Sequence, residues 1–268
     1  MNNLINSNFA KRYGPYALVT GASEGIGASF AEELAKRGLN VVLVARREDR
    51  LSELANRLEA NYGVLCPVIC ADLSNSEDIQ AMFNITDRID IGLVVCNAGY
   101  GTAGNFLDND LDNELNMLSV NCNAVTQMVH HMGLKLKSKG HGGVILLSSI
   151  VATQGVARSA HYAATKAYIQ TLGEGLQQEW DDMGIDLLIV APGPVATGFA
   201  ARSNMKLGKA ATPEVVAQQS LKALGHQKMI HPGWLAKLMS FSLSTAPRGI
   251  RVLIMGAIMG AMTKHLPK

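Results

Sequence analysis

Short apolar runs recur along this 268-residue chain, and helix-length stretches separate them. Tyr16-Ala-Leu-Val-Thr20, Asn40-Val-Val-Leu-Val-Ala45, Val64 to Cys70, Ile91 to Val95, Gly143 to Ser149 and Ile185 to Val190 all have the length and residue types of strands. The first run leads through a glycine turn into Ala28 to Arg37, which reads as a helix. Strands alternating with helices predict a three-layer α/β fold, a doubly wound parallel sheet with helices on both faces. No linker, repeat or low-complexity run divides the chain. A chain of this size supports one core. The expectation is a single domain, with residues 1–227 carrying the sheet and residues 228–268 adding a helical extension.

The C-terminal part departs from this pattern. Trp234 to Leu243 and Val252 to Met262 are the longest apolar stretches, and neither reaches the roughly 20 residues that cross a bilayer. No Asp or Glu follows Glu214, yet seven cations do: Lys222, Lys228, Lys237, Arg248, Arg251, Lys264 and Lys268. The net charge of +2 therefore hides a basic tail on an acidic body. Three readings are open. The segment is a substrate lid and subunit interface, an amphipathic element lying on an anionic membrane surface, or a surface that captures an acidic carrier such as a coenzyme A or carrier-protein thioester. They are compatible with one another.

Composition excludes other classes. Near-neutral charge and 5% aromatic residues argue against nucleic-acid binding. Cys66, Cys70, Cys96 and Cys122 lie in or beside apolar segments and read as buried free thiols in a reducing cytoplasm. Cys66 and Cys70 would project from one strand face but are not spaced like a zinc pair, so no metal is expected. Asn2 to Ala10 is polar and lacks the apolar centre of a signal peptide.

Candidate chemistry begins in Gly21-Ala-Ser23-Glu-Gly25-Ile26-Gly27, between the first strand and the first helix. Strand, glycine turn and helix form the setting of a dinucleotide site. Gly21 permits the tight turn, Gly25 lets backbone approach a pyrophosphate, and Gly27 lets helix and strand pack closely. The second strand ends at Ala45-Arg46-Arg47 with no carboxylate. An acid there favours NAD, whereas Arg46 offers a fork for the 2′-phosphate of NADP. Glu24 in the glycine loop weakens that preference, and Arg46, Arg47 and Arg50 also read as solvated charges opening a helix.

Tyr162 and Lys166, in Ser159-Ala-His-Tyr-Ala-Ala-Thr-Lys166, share one helix face. An ammonium beside a phenol lowers its pKa, which suits proton transfer to a carbonyl or from an alcohol. His161 is adjacent to Tyr162 but on another face, so it reads as a wall or surface residue.

Further landmarks follow in order: Asp72-Leu73, Asn97-Ala98-Gly99, Asn121, Ser149, and Pro192-Gly193-Pro-Val195-Ala-Thr197. With the glycine motif and Tyr162-x-x-x-Lys166, this series resembles the short-chain dehydrogenase/reductase family from about Tyr16 to Thr197. The departures are Cys96, where the family often has a second Asn, and Glu24. The resemblance implies a Rossmann sheet ordered 3-2-1-4-5-6-7 and an oligomer built on the helices containing Asn121 and Tyr162. It implies Tyr162 as general acid, Lys166 as its tuner and ribose ligand, and Ser149 as donor to the substrate oxygen. Asn121 would kink its helix and hold a relay water; Asn123 is the rival for that role, as Ser148 is for Ser149. Asp72 and Leu73 would meet the adenine, Asn97, Ala98 and Gly99 the adenosine ribose, and Val195 and Thr197 the nicotinamide carboxamide.

The expected function is NADP-dependent reduction of a hydrophobic ketone. Acyl-chain or steroid-like compounds lead, because the apolar tail fits the 3-oxoacyl and hydroxysteroid reductase branch. An NAD-dependent alcohol dehydrogenase and a non-catalytic NADP(H)-binding sensor remain open.

Overall fold

The computed structural model describes residues 8–203, 205–206, 208 and 210–266. The polar start at Asn2 to Ser7 and the cation Lys268 lie outside the described residues. Seven strands form the sheet: β1 (Tyr16–Thr20), β2 (Asn40–Ala45), β3 (Val68–Cys70), β4 (Ile91–Cys96), β5 (Gly142–Leu147), β6 (Ile185–Val190) and β7 (Met229–Ile230). They run parallel in the order β3-β2-β1-β4-β5-β6-β7, as expected for a Rossmann sheet. The order reverses between β1 and β4, and the crevice that opens there is where such sheets bind ligands.

Helices connect and cover the strands: α1 (Asn8–Tyr13), α2 (Gly25–Lys36), α3 (Glu48–Tyr62), α4 (Ser76–Thr86), α5 (Leu111–Leu118), α6 (Ala124–Lys139), α7 (Ala160–Glu179), α8 (Gly198–Arg202) and α9 (Pro213–Ala223). Successive strand residues point to opposite faces. Val19, Leu43 and Leu93 thus pack beneath Phe30 and Leu34 of α2, Leu51 and Leu58 of α3, and Val216 of α9. Leu18, Val42 and Val94 pack on the other face with Met82 of α4, Met128 and Met132 of α6, and Ile169 of α7. Burying one such side chain contributes about 1.5–3 kcal/mol, so the sheet's rigidity rests on these two layers.

Local chemistry sets the ends. The Asn75 side chain caps α4 by accepting from the backbone N–H groups of Glu77 and Asp78. Thr212 caps α9, whose first turn begins with Pro213.

Several boundaries differ from the sequence reading: β4 runs on to Cys96, β5 ends at Leu147 before Ser149, and β7 carries the sheet past residue 227, so the helical extension begins after it. Helix α2 starts at Gly25, inside the glycine motif, instead of at Ala28. Strand β3 covers only Val68–Cys70 rather than Val64 to Cys70. Pro67 has no N–H to donate, although the carbonyls of Leu65 and Pro67 still accept from Val41 and Leu43 of β2. The split also separates the two cysteines. Cys66 is buried, whereas Cys70 ends the edge strand facing outward and is exposed. The expected burial of Cys70 is therefore corrected.

After β7 come α10 (Trp234–Ser244) and α11 (Arg248–Met262). Ala236 and Leu243 of α10 and Met255 and Met259 of α11 join Tyr100, Met117, Ile150 and Tyr162 in a third apolar cluster above the sheet edge. Among the described residues no helix is long and apolar enough to cross a membrane.

Candidate active site

The carboxyl ends of β1, β2, β4, β5 and β6 open into one cleft of about 510 Å³. Its floor at β1 is the glycine loop. Gly21 and Gly25 have φ of +64° and +57°, a region that disfavours other residues. A Cβ on Gly27 would stand 2.2 Å from the Gly21 carbonyl oxygen and 2.6 Å from Asn97 Nδ2, so only glycine lets α2 start this close to the turn. Glu24 occupies the N-cap position of α2 but gives no side-chain cap, so the helix start keeps free N–H groups and positive partial charge for a pyrophosphate. The residues here fit a dinucleotide.

Glu24 instead pairs with Arg47, 2.9 Å away, and Arg47 also donates to Ser23 Oγ at 3.1 Å. Arg46, half exposed, stands 3.7 Å from the Asp72 carboxylate. Burial opposes ionisation of Asp72, but hydrogen bonds from the Ser74 N–H and hydroxyl, with Arg46, hold its carboxyl below the usual range. Leu73 lines the same wall. Next along, Thr20 Oγ1 accepts from the backbone N–H groups of Asn97 and Ala98, both at 3.0 Å. Asn97 Nδ2 donates to the Thr20 carbonyl at 2.9 Å. This clamp fixes Asn97, Ala98 and Gly99 along one side of the cleft.

Beyond the end of β5, the expected catalytic residues Ser149, Tyr162 and Lys166 come together and are all buried. Lys166 Nζ donates to the Leu147 carbonyl at 2.7 Å and lies 5.8 Å from the Tyr162 ring centre. Both serines line the cleft, but Ser148 Oγ is spent on the Lys166 carbonyl at 3.0 Å, whereas Ser149 is the one hydrogen-bonded to Tyr162. Burial pushes the Tyr162 phenol well above its ordinary value, and a hydrogen bond with Ser149 only partly offsets this. Burial also pushes Lys166 down to about 8. The phenol is therefore protonated at neutral pH. The direction is opposite to the acidified tyrosine expected from the helical spacing: burial dominates, and the lowering contact comes from Ser149, with Lys166 Nζ 5.8 Å from the ring centre.

Asn121 lies behind this corner in a π-helical segment, Ser119–Asn123, between α5 and α6. Its Oδ1 accepts from the Tyr100 N–H at 3.1 Å, and its Nδ2 donates to the Tyr100 carbonyl and to Thr165 Oγ1 at 2.9 and 3.0 Å. The wide turn turns Asn121 inward and leaves its rival Asn123 exposed. Pro192, Gly193, Val195 and Thr197 line the far side, with Ile26 opposite. Of the sequence-predicted site residues, Gly27 and Asn121 stand behind the wall and the others line the cleft. His161 faces elsewhere, its Nδ1 2.6 Å from Glu114 Oε2.

Sequence reasoning missed several lining residues. Arg202 lies with its guanidinium 4.0 Å over the Tyr100 ring. Arg47 was passed over in favour of Arg46. Met205, Met239, Met255, Met259 and Met262 roof the side opposite the glycine loop. The methionine-rich composition of the tail signalled a greasy surface, though not which of its residues face inward. Just before α7, Arg158 Nε donates to Thr263 Oγ1 at 2.7 Å, tying the approach to Tyr162 to the turn after α11.

Residues 15–208 match a protein-family model described as short chain dehydrogenase. A 7β-hydroxysteroid dehydrogenase of Clostridium sardiniense is 31% identical over 222 residues, covering 81% of this chain and 85% of that protein. A very-long-chain 3-oxoacyl-CoA reductase of Anas platyrhynchos is 32% identical over 219 residues, covering 80% and 70%. A human protein called inactive hydroxysteroid dehydrogenase-like protein 1 is 31% identical over 236 residues, covering 85% and 71%. Among solved structures, a 7β-hydroxysteroid dehydrogenase superposes with a TM-score of 0.86 at 27% identity, covering 93% of this chain and 100% of that one. A short-chain dehydrogenase from Sphingobium yanoikuyae in complex with NADPH gives 0.80 at 29% identity, covering 88% and 95%.

Proposed function

The chain belongs to the short-chain dehydrogenase family, and from that premise we propose that it reduces a hydrophobic ketone reversibly with NADPH. One observation carries the substrate class: five methionines line the cleft together with Phe199 and Ile258. Methionines adapt to large apolar ligands, and they offer nothing to a sugar or polyol. Steroid-like ketones and fatty 3-oxoacyl thioesters lead, in keeping with the two dehydrogenase and reductase relatives.

NADP is supported by two arginines at the end of β2 and by the NADPH complex of the Sphingobium relative. Arg46 and Arg47, with Ser23, would hold the 2′-phosphate, Arg47 exchanging its bond to Glu24 for it. Gly21, Gly25 and Ile26 with the α2 start would hold the pyrophosphate. Asp72 and Leu73 would hold the adenine, Asn97 to Gly99 the adenosine ribose, Lys166 the nicotinamide ribose, and Pro192, Gly193, Val195 and Thr197 the carboxamide side. The bound cofactor supplies hydride to the carbonyl carbon.

The protein's own part is the proton. Tyr162, protonated at neutral pH, donates its phenolic hydrogen to the carbonyl oxygen. Ser149 donates a second hydrogen bond to that oxygen and stabilises the charge developing on it. Lys166 stabilises the phenolate left behind, and Asn121 holds the Tyr100 segment against it.

The human relative named inactive favours a second reading, a nucleotide-binding sensor without turnover. Against it stand Ser149, Tyr162 and Lys166, all present and assembled on one wall. Free thiols at all four cysteines support a reducing cytoplasm. Exposed Leu134 on α6 and Tyr168 on α7 support an oligomer through those helices.

NADPH oxidation against a panel of steroid, 3-oxoacyl and polyol-type ketones tests the reading. Tyr162→Phe is expected to lower kcat by about 10²–10⁴-fold with NADPH binding intact. Turnover of small polar ketones alone would overturn the substrate class. NADPH binding without turnover across the panel would establish the sensor instead.

A further inference from the structure

The roof helices are apolar on two opposite faces. In α11, Met255, Met259 and Met262 face the cleft. Ile250, Leu253, Ile254 and Ala257 follow the spacing i, i+3, i+4, i+7 and form the opposite, exposed stripe. In α10, Ala236, Met239 and Leu243 face inward, whereas Trp234, Leu238 and Phe241 point out at i, i+4, i+7. Trp234, Phe241 and Leu253 are 66%, 72% and 74% exposed. A helix that is greasy all round needs cover on both sides, and here only one is covered.

The charge around these stripes says what covers the other. Lys237, Arg248 and Lys264 are exposed and form no ion pair among the described residues. Lys228, by contrast, is answered by Asp181 of the body. A second copy docking through this face would bring cations against cations, since no carboxylate side chain follows Glu214. An anionic bilayer answers the cations with phosphate and carboxylate headgroups and the stripes with acyl chains. Trp234 opens α10, and an indole is at home at headgroup depth.

We propose that the outward faces of α10 and α11 dock the protein on an anionic lipid surface, so that the roof of the ketone cleft is also its membrane contact. This goes beyond the proposed chemistry and does not depend on it. The helices lie on the surface and do not cross it.

Vesicle flotation tests the proposal. The full chain is expected to float with phosphatidylcholine–phosphatidylserine vesicles, to float far less with phosphatidylcholine alone, and to be released by raised salt. Emission from exposed Trp234 should shift to the blue on mixed vesicles, while Trp180, buried, is unaffected. Phe241→Glu with Leu253→Glu should lower binding by roughly tenfold or more, with circular dichroism and NADPH binding unchanged. Neither residue lines the cleft.

Failure to float with either vesicle would overturn the proposal, as would equal flotation of variant and wild type or indifference to lipid charge. If instead the wild type is dimeric in solution and the double variant monomeric, with no flotation, the face belongs to a second copy.

Discussion

At one end of the cleft the walls are backbone; at the other they are methionine. The glycine loop meets its neighbours at distances that leave no room for a methyl group, as at Gly27. The roof is built mostly from flexible side chains on two helices whose outer faces are bare. The nucleotide is the same molecule in every turnover, so a rigid cradle suits it. The bulky ketone proposed as substrate must enter and leave, and a deformable roof permits this. Changes at the loop should therefore cost folding and cofactor binding together, whereas changes at the roof should alter only substrate handling.

The largest effect is expected from Gly27→Ala. The added methyl has nowhere to go, and overpacking costs about 1–3 kcal/mol or more. Urea denaturation should give a lower midpoint, and NADPH titration a weakened or absent site. Undiminished stability would show the cradle to be as forgiving as the roof.

Next comes Lys166, whose burial lowers its pKa from 10.5 to about 8. Below pH 8 the folded protein must hold a charge it has desolvated. Between about pH 8 and 10.5 the unfolded chain binds more protons, so stability rises with pH in this window. Lys166→Met should remove that rise, so the denaturation midpoint of the wild type should climb relative to that of the variant across the same range.

Arg46→Ala should raise the KM for NADPH by roughly tenfold and leave that for NADH nearly unchanged. Strong NADH preference in the wild type would contradict the assignment of the 2′-phosphate. The smallest effect belongs to the roof. Met259→Leu, close to volume-conserving, should leave Tm within about 1.5 kcal/mol equivalent of wild type and shift KM among bulky ketones by only a few-fold. A large stability loss would place the roof on the same footing as the cradle.

The two ends were unequally legible in the sequence. Six strands followed from runs of apolar residues, because a strand covered on both faces needs them, whereas their order in the sheet came with the family resemblance. The cradle was legible because glycine is irreplaceable where backbone crowds backbone, and the residues that clamp it are fixed in spacing. β7 escaped because two residues make no pattern. Asn121 could be preferred to Asn123 only by its distance along the chain from Ser149, since the π turn that separates them leaves no mark in composition. The phenol's environment was misread because desolvation is a property of the assembled pocket, not of a helical spacing. In the roof, composition announced a greasy surface, but which methionines face the ketone depends on how two helices are rotated.

The bond from Arg158 to Thr263 has a consequence for timing. It fastens the stretch just before the helix of Tyr162, the proposed proton donor, to the turn that follows the methionine-lined roof. Anything that lifts the sheltering helices, whether an arriving ligand or a lipid pulling from outside, tugs on the stretch that aims the phenol. The door and the trigger hang on one hinge pin, so access and readiness rise and fall together.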